Sequence, residues 1–213
     1  MPPILTESKR GIFRAMRILR AADCTALPWK NGLGVSRVIA SDPPGAGYDK
    51  VDWQVGITDI GIDCPFSSLP GMDRQFMLLT GAGVGLHCID VIAGVDVRHL
   101  VDKPFVPVAF RGDWQTTCRL LGEPVQVFNV MTRRSHAEAR ISQLRWSGAL
   151  FLEQKPGESV VAVLFAGAAQ ITGEAAPLMP MESVVLDAPQ GELREVITSG
   201  GPARLAIVRV APA

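Results

Sequence analysis

The stretch Val125-Gln126-Val127-Phe128-Asn129-Val130-Met131-Thr132-Arg133 indicates the fold class of this chain. It is rich in β-branched and aromatic residues, which is typical of a β-strand. Side chains of a strand alternate between its two faces, so Asn129, Met131 and Arg133 share one face. If that face lines an interior cavity, Asn129 and Arg133 are polar groups inside it. If it faces water, they are ordinary surface residues.

Similar short runs recur along the chain and are separated by Gly, Pro and Asp. This pattern predicts many short strands joined by tight turns. Further strands are predicted at 35–40, 53–57, 75–79, 106–110, 150–153, 160–165, 183–186 and 205–210. No long stretch has a convincing helical period, although residues 135–144 are compatible with either a short helix or a strand.

The glycine-rich run Gly81-Ala82-Gly83-Val84-Gly85 resembles a dinucleotide-binding loop only superficially. The spacing of its glycines is wrong, and the residues that follow are strand-like where that motif requires a helix. We therefore predict a hairpin loop at this position.

The two halves of the chain share an order of strand, turn and strand. In the second half the turn is Pro189-Gln190-Gly191. The length of 213 residues fits one large all-β domain or two small modules with a common core. The repeated order favours two similar antiparallel modules packed as one unit, with approximate boundaries at 15–134 and 135–213.

Composition excludes several function classes. The 21 basic residues balance the 21 acidic residues, so no net charge favours nucleic acid or an anionic membrane as a partner. Cys24, Cys64, Cys88 and Cys118 form no C-x-x-C pair, and the three histidines form no His-x-His pair. We therefore expect no metal and no cofactor. No secretory signal and no transmembrane segment is evident, which predicts a cytoplasmic protein.

Three polar clusters are candidates for a site. The first is Pro28-Trp29-Lys30-Asn31-Gly32-Leu33-Gly34-Val35-Ser36-Arg37, which combines an aromatic ring, an amide and two cations. It is equally compatible with a simple Asn-Gly turn between two strands. The second, at 65–74, places Ser67 and Arg74 at the edge of the next strand, where Arg is suited to binding a carboxylate. The third is the set Asn129, Met131 and Arg133.

Together, the three clusters resemble the HutD/Ves family of bacterial cupin-fold proteins. The matching residues are Pro28-Trp29-Lys30-Asn31-Gly32-x-Gly34 with Arg37, Trp53, Phe66-Ser67-x-x-Pro70-Gly71-x-x-Arg74, Phe110, and Asn129-x-Met131-Thr132-Arg133. They extend over about half of the chain, and the second motif is specific. Gln54 is a departure, because we expect Arg after this Trp in many relatives.

The resemblance implies an all-β double-stranded β-helix of the cupin or jelly-roll type, with two modules packed as a bicupin barrel. It also implies a link to the regulation of histidine utilisation through the binding of a small metabolite. Membership of the Ves branch would instead imply a role in stress or cold responses. Members of the family lack the usual cupin metal-binding histidines, which agrees with their absence here.

The leading hypothesis is a metal-free binding protein for a small carboxylate such as urocanate or N-formylglutamate. The candidate ligand-binding residues are Trp29, Asn31, Arg37, Phe66, Ser67, Arg74, Phe110, Asn129 and Arg133. A metal-free isomerase or hydrolase is the main alternative, although the motifs contain no obvious His or Glu as general acid or base. A purely structural or protein-interaction role is the third. A homodimer is possible, since symmetric dimers are the commonest oligomers.

Overall fold

A computed structural model describes residues 16–187 and 193–213. Residues 1–15 and the predicted turn at 189–191 lie outside this range. The strands are β1 (Met16–Leu19), β2 (Thr25–Pro28), β3 (Val35–Asp42), β4 (Trp53–Ile60), β5 (Cys64–Pro65), β6 (Met72–Thr80), β7 (Val84–Asp90), β8 (Val95–Val101), β9 (Pro107–Arg111), β10 (Gln115–Leu120), β11 (Val125–Arg133), β12 (Ala137–Gln154), β13 (Ser159–Ala166), β14 (Gln170–Ile171), β15 (Ser183–Asp187) and β16 (Leu193–Pro212). A short 3-10 turn, Ala21–Asp23, separates β1 from β2. The fold is all-β, as predicted.

The strands form three antiparallel sheets. The central sheet has the order β2-β3-β4-β11-β6-β9, and the outer sheet has the order β5-β10-β7-β8. The C-terminal sheet has the order β1-β15-β13-β16-β12, with β14 also paired to β16. Within the described residues no sheet closes on itself, so the barrel expected from the resemblance is replaced by open sheets stacked on one another.

Apolar side chains of the central sheet pack on both of its faces. On one face, Phe128 packs with Val163 and Val208 of the C-terminal sheet. On the other face, Val127 packs with Leu86 of the outer sheet. Neighbouring residues of β11 therefore enter two different cores, as alternation along a strand requires.

The first described strand of the chain pairs with the C-terminal sheet. In the register of β1 and β15, Met16 lies opposite Leu186 and Leu19 lies opposite Ser183. The C-terminal sheet thus includes a strand from the start of the described chain. The division into modules at 15–134 and 135–213 stays a prediction, and its first boundary lies outside the described residues.

Two local alternatives are resolved by the strand pairing. Residues 135–144 contribute to β12, which pairs with β16 along almost its whole length, so the strand alternative is correct. The hairpin predicted at 81–85 is wrong, because β6 belongs to the central sheet and β7 to the outer sheet. The loop between them carries the chain from one sheet to the other. It requires Gly83, since a Cβ there would lie 2.5 Å from the carbonyl oxygen of Val101.

The described part of the chain contains no helix that is long and apolar enough to cross a membrane. In the same residues no group of three or more His, Cys, Asp or Glu side chains is arranged to hold a metal ion.

Candidate functional site

A cavity lies on the face of the central sheet that packs toward the outer sheet. The space available to a water-sized molecule is about 30 Å³, inside about 400 Å³ of space between atoms that includes open solvent. The floor comes from strands β4, β6 and β11, and the walls come from the loops that precede β3, β4 and β6. Most of the lining is apolar, as is usual for small-molecule sites.

The sheet register places two polar side chains side by side on the cavity floor. Arg74 of β6 lies opposite Met131 of β11, and Asn129 lies opposite Phe76. Arg74 and Asn129 are therefore diagonal neighbours on one face of the sheet. At diagonal positions, long side chains are within reach of each other. Each side chain is only 8% exposed.

The guanidinium of Arg74 packs against two neighbouring aromatic rings. Its central carbon is 4.8 Å from the centre of the Phe66 ring and 5.2 Å from that of Phe110. Nε is buried without a hydrogen bond, and the guanidinium makes no ion pair with any described residue. Burial lowers the pKa of Arg74 to about 10, so the group still carries its charge at neutral pH.

The side-chain amide of Asn129 also lacks a partner among the described residues. Its Oδ1 atom is buried and accepts no hydrogen bond. Buried polar groups in folded proteins are normally paired, so two unpaired groups in one cavity are unusual. Together they are well placed to bind a ligand that has both an anionic and a neutral polar group.

A chain of hydrogen bonds crosses the wall beside these two residues. The indole Nε1 of Trp29 donates to Ser36 Oγ at 3.0 Å, and the hydroxyls of Ser36 and Thr58 are 2.8 Å apart. Burial raises the pKa of the nearby Tyr48 hydroxyl, and the neighbouring Ser36 hydroxyl opposes that shift. The hydrogen bond from its indole to Ser36 fixes the ring of Trp29 in the cavity wall.

The first sequence cluster is both a turn and a wall of the cavity. The backbone N–H of Gly32 donates to the carbonyl of Trp29 at 3.0 Å, and that of Trp29 donates to the carbonyl of Gly34 at 2.9 Å. Gly32 has φ of +71°, which favours glycine. The turn joins β2 to β3 and directs Trp29 into the cavity, where its ring meets Phe66 edge-on.

Asn31 does not line the cavity. It fastens the loop between β2 and β3 to the segment that carries Pro65 and Ser67. Its Nδ2 atom donates to the carbonyl of Pro65 at 2.9 Å, and its Oδ1 atom accepts from the backbone of Leu33 at 3.1 Å. Its own backbone N–H donates to Ser67 Oγ at 3.3 Å. Asn31 therefore holds the loop that carries Trp29 against the loop that carries Phe66.

The structure brings five of the nine predicted site residues into the cavity lining: Trp29, Phe66, Ser67, Arg74 and Asn129. Phe110 does not line the cavity, although its ring packs near Arg74. Arg37 is at the surface and pairs with Asp59 at 2.6 Å. Arg133 donates to the carbonyls of Tyr48, Asp49 and Val51, and so anchors the loop that carries Tyr48.

Sequence reasoning missed Tyr48 as a wall of the cavity. It is the only tyrosine of the chain and lies in a loop rich in Gly and Pro between two predicted strands. Ser36 and Thr58 also line the cavity, although no motif singled out Thr58. The position of Thr58 in the cavity follows only from the pairing of β3 with β4, which places Thr58 opposite Ser36.

Comparisons with known proteins agree with this fold. Two solved structures are each 28% identical to this chain. One is a conserved protein of unknown function from Pseudomonas aeruginosa PAO1, with a TM-score of 0.77 over 92% of this chain and 98% of that chain. The other is HutD from Pseudomonas fluorescens SBW25, with a TM-score of 0.73 over 93% and 99%.

More distant structures share the fold alone. An oxalate decarboxylase from Lactobacillus farciminis, solved as a formate complex, is 8% identical over 92% of this chain and 86% of that chain, with a TM-score of 0.64. The architecture of the described chain is thus all-β and cupin-like.

Sequence comparison gives the family. A curated relative from Pseudomonas putida, an uncharacterized 21.2 kDa protein in the hutC 3' region, is 35% identical over 126 residues. This match spans 59% of the chain and 63% of the relative, less than two thirds of that protein's length. The family model described as HutD matches residues 21–203. The chain belongs to the HutD family.

Proposed function

We propose that this protein binds a small carboxylate metabolite in the cavity, with Arg74 holding the carboxylate. The observation that carries the proposal is the state of Arg74, a residue that is 8% exposed and whose guanidinium has no hydrogen bond or ion pair with any described residue. A buried charge without a partner costs several kcal/mol, roughly, in an apolar interior. A bound anion would offset that cost.

The surroundings of Arg74 suit a planar carboxylate. Phe66 and Phe110 pack near the guanidinium and restrict its orientation without using any of its N–H donors. The fork of N–H groups therefore stays available for two parallel hydrogen bonds to a carboxylate. The apolar lining formed by Ile60, Leu69 and Val127 would hold a short carbon skeleton.

Family membership supports histidine utilisation as the context. The Pseudomonas putida relative is named for its position near hutC, and a structural neighbour is named HutD. We propose that the ligand is an acidic intermediate of histidine breakdown, with urocanate and N-formylglutamate as the candidates. Binding of such an acid would modulate histidine utilisation according to the level of the pathway metabolite.

The composition of the cavity favours binding over turnover. Among the described residues that line it, Tyr48 and Arg74 are the ionisable side chains, and no carboxylate, imidazole or thiol is present. General acid and base catalysis needs a group within hydrogen-bond reach of the substrate. The lining therefore supplies a clear anion-binding group, whereas burial raises the pKa of Tyr48 and keeps its hydroxyl protonated at neutral pH, which makes it a poor proton acceptor.

Isothermal titration calorimetry with urocanate and N-formylglutamate tests the proposal. We expect wild-type protein to bind at least one acid, and Arg74→Met to weaken binding by roughly a hundredfold or more. Met preserves the apolar contact with the phenylalanine rings and removes the charge. Arg37→Met is the matched control, because Arg37 is an exposed arginine paired with Asp59 outside the cavity.

Two results would overturn the carboxylate site. One is the absence of heat and of any thermal shift with both acids. The other is equal weakening by Arg74→Met and Arg37→Met, since that would indicate an effect of net charge rather than of the cavity.

A further inference from the structure

Some polar groups of the cavity wall have a hydrogen-bond partner within the protein, and others have none. The indole of Trp29 and the hydroxyl of Thr58 are both bonded to Ser36. The hydroxyl of Ser67 accepts a hydrogen bond from the backbone of Asn31. In the described lining, the buried groups left without a partner are the Arg74 guanidinium and the Asn129 amide.

The Asn129 amide offers two kinds of hydrogen bond in one small group. Its oxygen accepts, and its nitrogen donates. It is 8% exposed and lies diagonally across from Arg74, with the Cα atoms of such a pair roughly 7–8 Å apart. Phe76 and Val127 on the same floor add apolar surface around it. A ligand bound at Arg74 is therefore long enough to reach Asn129 when it has only a few carbon atoms.

We infer that Asn129 selects ligands that carry, besides the carboxylate, a neutral group with both a hydrogen-bond donor and an acceptor, such as an amide, a formamide or an imidazole. This inference rests on the proposed carboxylate site at Arg74. An acid with only an alkyl or phenyl group at that end would bury the Asn129 amide without a partner. Sites that use a buried polar group in this way reject the analogue that lacks the matching group.

A matched pair of acids measures how much the Asn129 amide contributes to the binding affinity. Urocanate and cinnamate share a propenoate group and differ in carrying an imidazole or a phenyl ring. At pH 8, where a free imidazole is neutral, we expect wild-type protein to bind urocanate roughly tenfold to a hundredfold more tightly than cinnamate. Glutaramate and hexanoate form a second pair, in which the neutral group is an amide.

Asn129→Leu should remove the preference, so that the variant binds the two acids of each pair with similar affinity. Gln54→Leu is the control, because Gln54 is 1% exposed, has an unpaired Oε1 atom and does not line the cavity. It should keep the wild-type preference. If circular dichroism shows that Asn129→Leu is unfolded, Asn129→Ala replaces it in the same comparison.

Equal affinity of the wild type for both members of each pair would overturn the role of Asn129 and leave the Arg74 site standing. The same conclusion follows if the preference survives in the folded Asn129 variant or disappears equally in Gln54→Leu. Failure of all four acids to bind would instead contradict the proposed function itself. The two failures are therefore distinguishable.

Discussion

At the scale of single residues, the cavity depends on side chains whose roles differ from what their local sequence suggests. Asn31 and Arg37 belong to the first polar cluster, yet Asn31 fastens two loops and Arg37 pairs with Asp59 at the surface. Arg74 was predicted as an anion-binding group, and the structure buries it without a counter-ion among the described residues. The partner that a charged side chain finds is set by tertiary contacts, which a motif does not reveal.

The pH dependence of binding follows from the pKa of Arg74. Burial lowers this pKa to about 10 from 12.5, so the charge is retained up to that pH. Carboxylic acids of this class ionise near pH 4. We expect the affinity for N-formylglutamate, which has no imidazole, to be constant from about pH 6 to 9 by calorimetry. A step near pH 6.5 would contradict this account, since it would indicate a histidine as the binding group.

The lowered pKa of Arg74 also determines how the free energy of unfolding changes with pH. The unfolded chain holds the Arg74 proton more tightly than the folded protein does. The cost of burying the charge is therefore complete below pH 10 and is relieved only as pH rises through the folded-state value. At neutral pH the anion that we propose as ligand would offset that cost.

At the scale of elements, the loop between β2 and β3 sets the position of the cavity wall. The ring of Trp29 lies against Gly34, where a Cβ atom would be only 2.9 Å from the indole. This contact, together with the hydrogen bond from the indole to Ser36, holds the ring over the cavity. The loop therefore tolerates little change at Gly34.

Gly34→Ala should displace the indole and weaken ligand binding roughly tenfold, with a loss of about 1 kcal/mol in the free energy of unfolding. Calorimetry and urea denaturation measure the two effects. Gly61→Ala is the control, because nothing lies within 4 Å of a Cβ at that position. Unchanged affinity in Gly34→Ala would show that the Trp29 ring does not contact the ligand.

Strand positions could be predicted well from the sequence, but their pairing could not. The run 160–165 is apolar because its two faces enter two different cores, so a local pattern suffices to find it. The pairing of β1 with β15 joins the first described strand to the next-to-last one, which no local signal indicates. The hairpin prediction at 81–85 failed for the same reason, because local sequence does not show whether consecutive strands share a sheet.

At the scale of the whole molecule, the stacking of the sheets makes the cavity. The central sheet uses one face for the core shared with the C-terminal sheet, where Phe128 and Val163 pack. Its other face turns Arg74 and Asn129 toward the region enclosed with the outer sheet. One face thus contributes to the core while the opposite face of the same strands keeps buried polar groups without partners.

This arrangement predicts a conflict between stability and binding that centres on Arg74. Natural binding sites commonly retain groups that destabilise the free protein. Replacing an unpaired buried charge with an apolar side chain of similar length removes that cost. Arg74→Met should therefore stabilise the free protein and abolish the stabilisation that the ligand provides.

The most direct test is urea denaturation of the wild type and Arg74→Met, each with and without urocanate or N-formylglutamate. Without ligand, we expect the variant to exceed the wild type by about 1–3 kcal/mol in the free energy of unfolding. With ligand at a hundred times the wild-type dissociation constant, the wild type should gain about 2.7 kcal/mol and the hundredfold weaker variant should gain no more than about 0.4 kcal/mol. A variant that is less stable than the wild type without ligand, or that gains as much from the acid, would contradict the account.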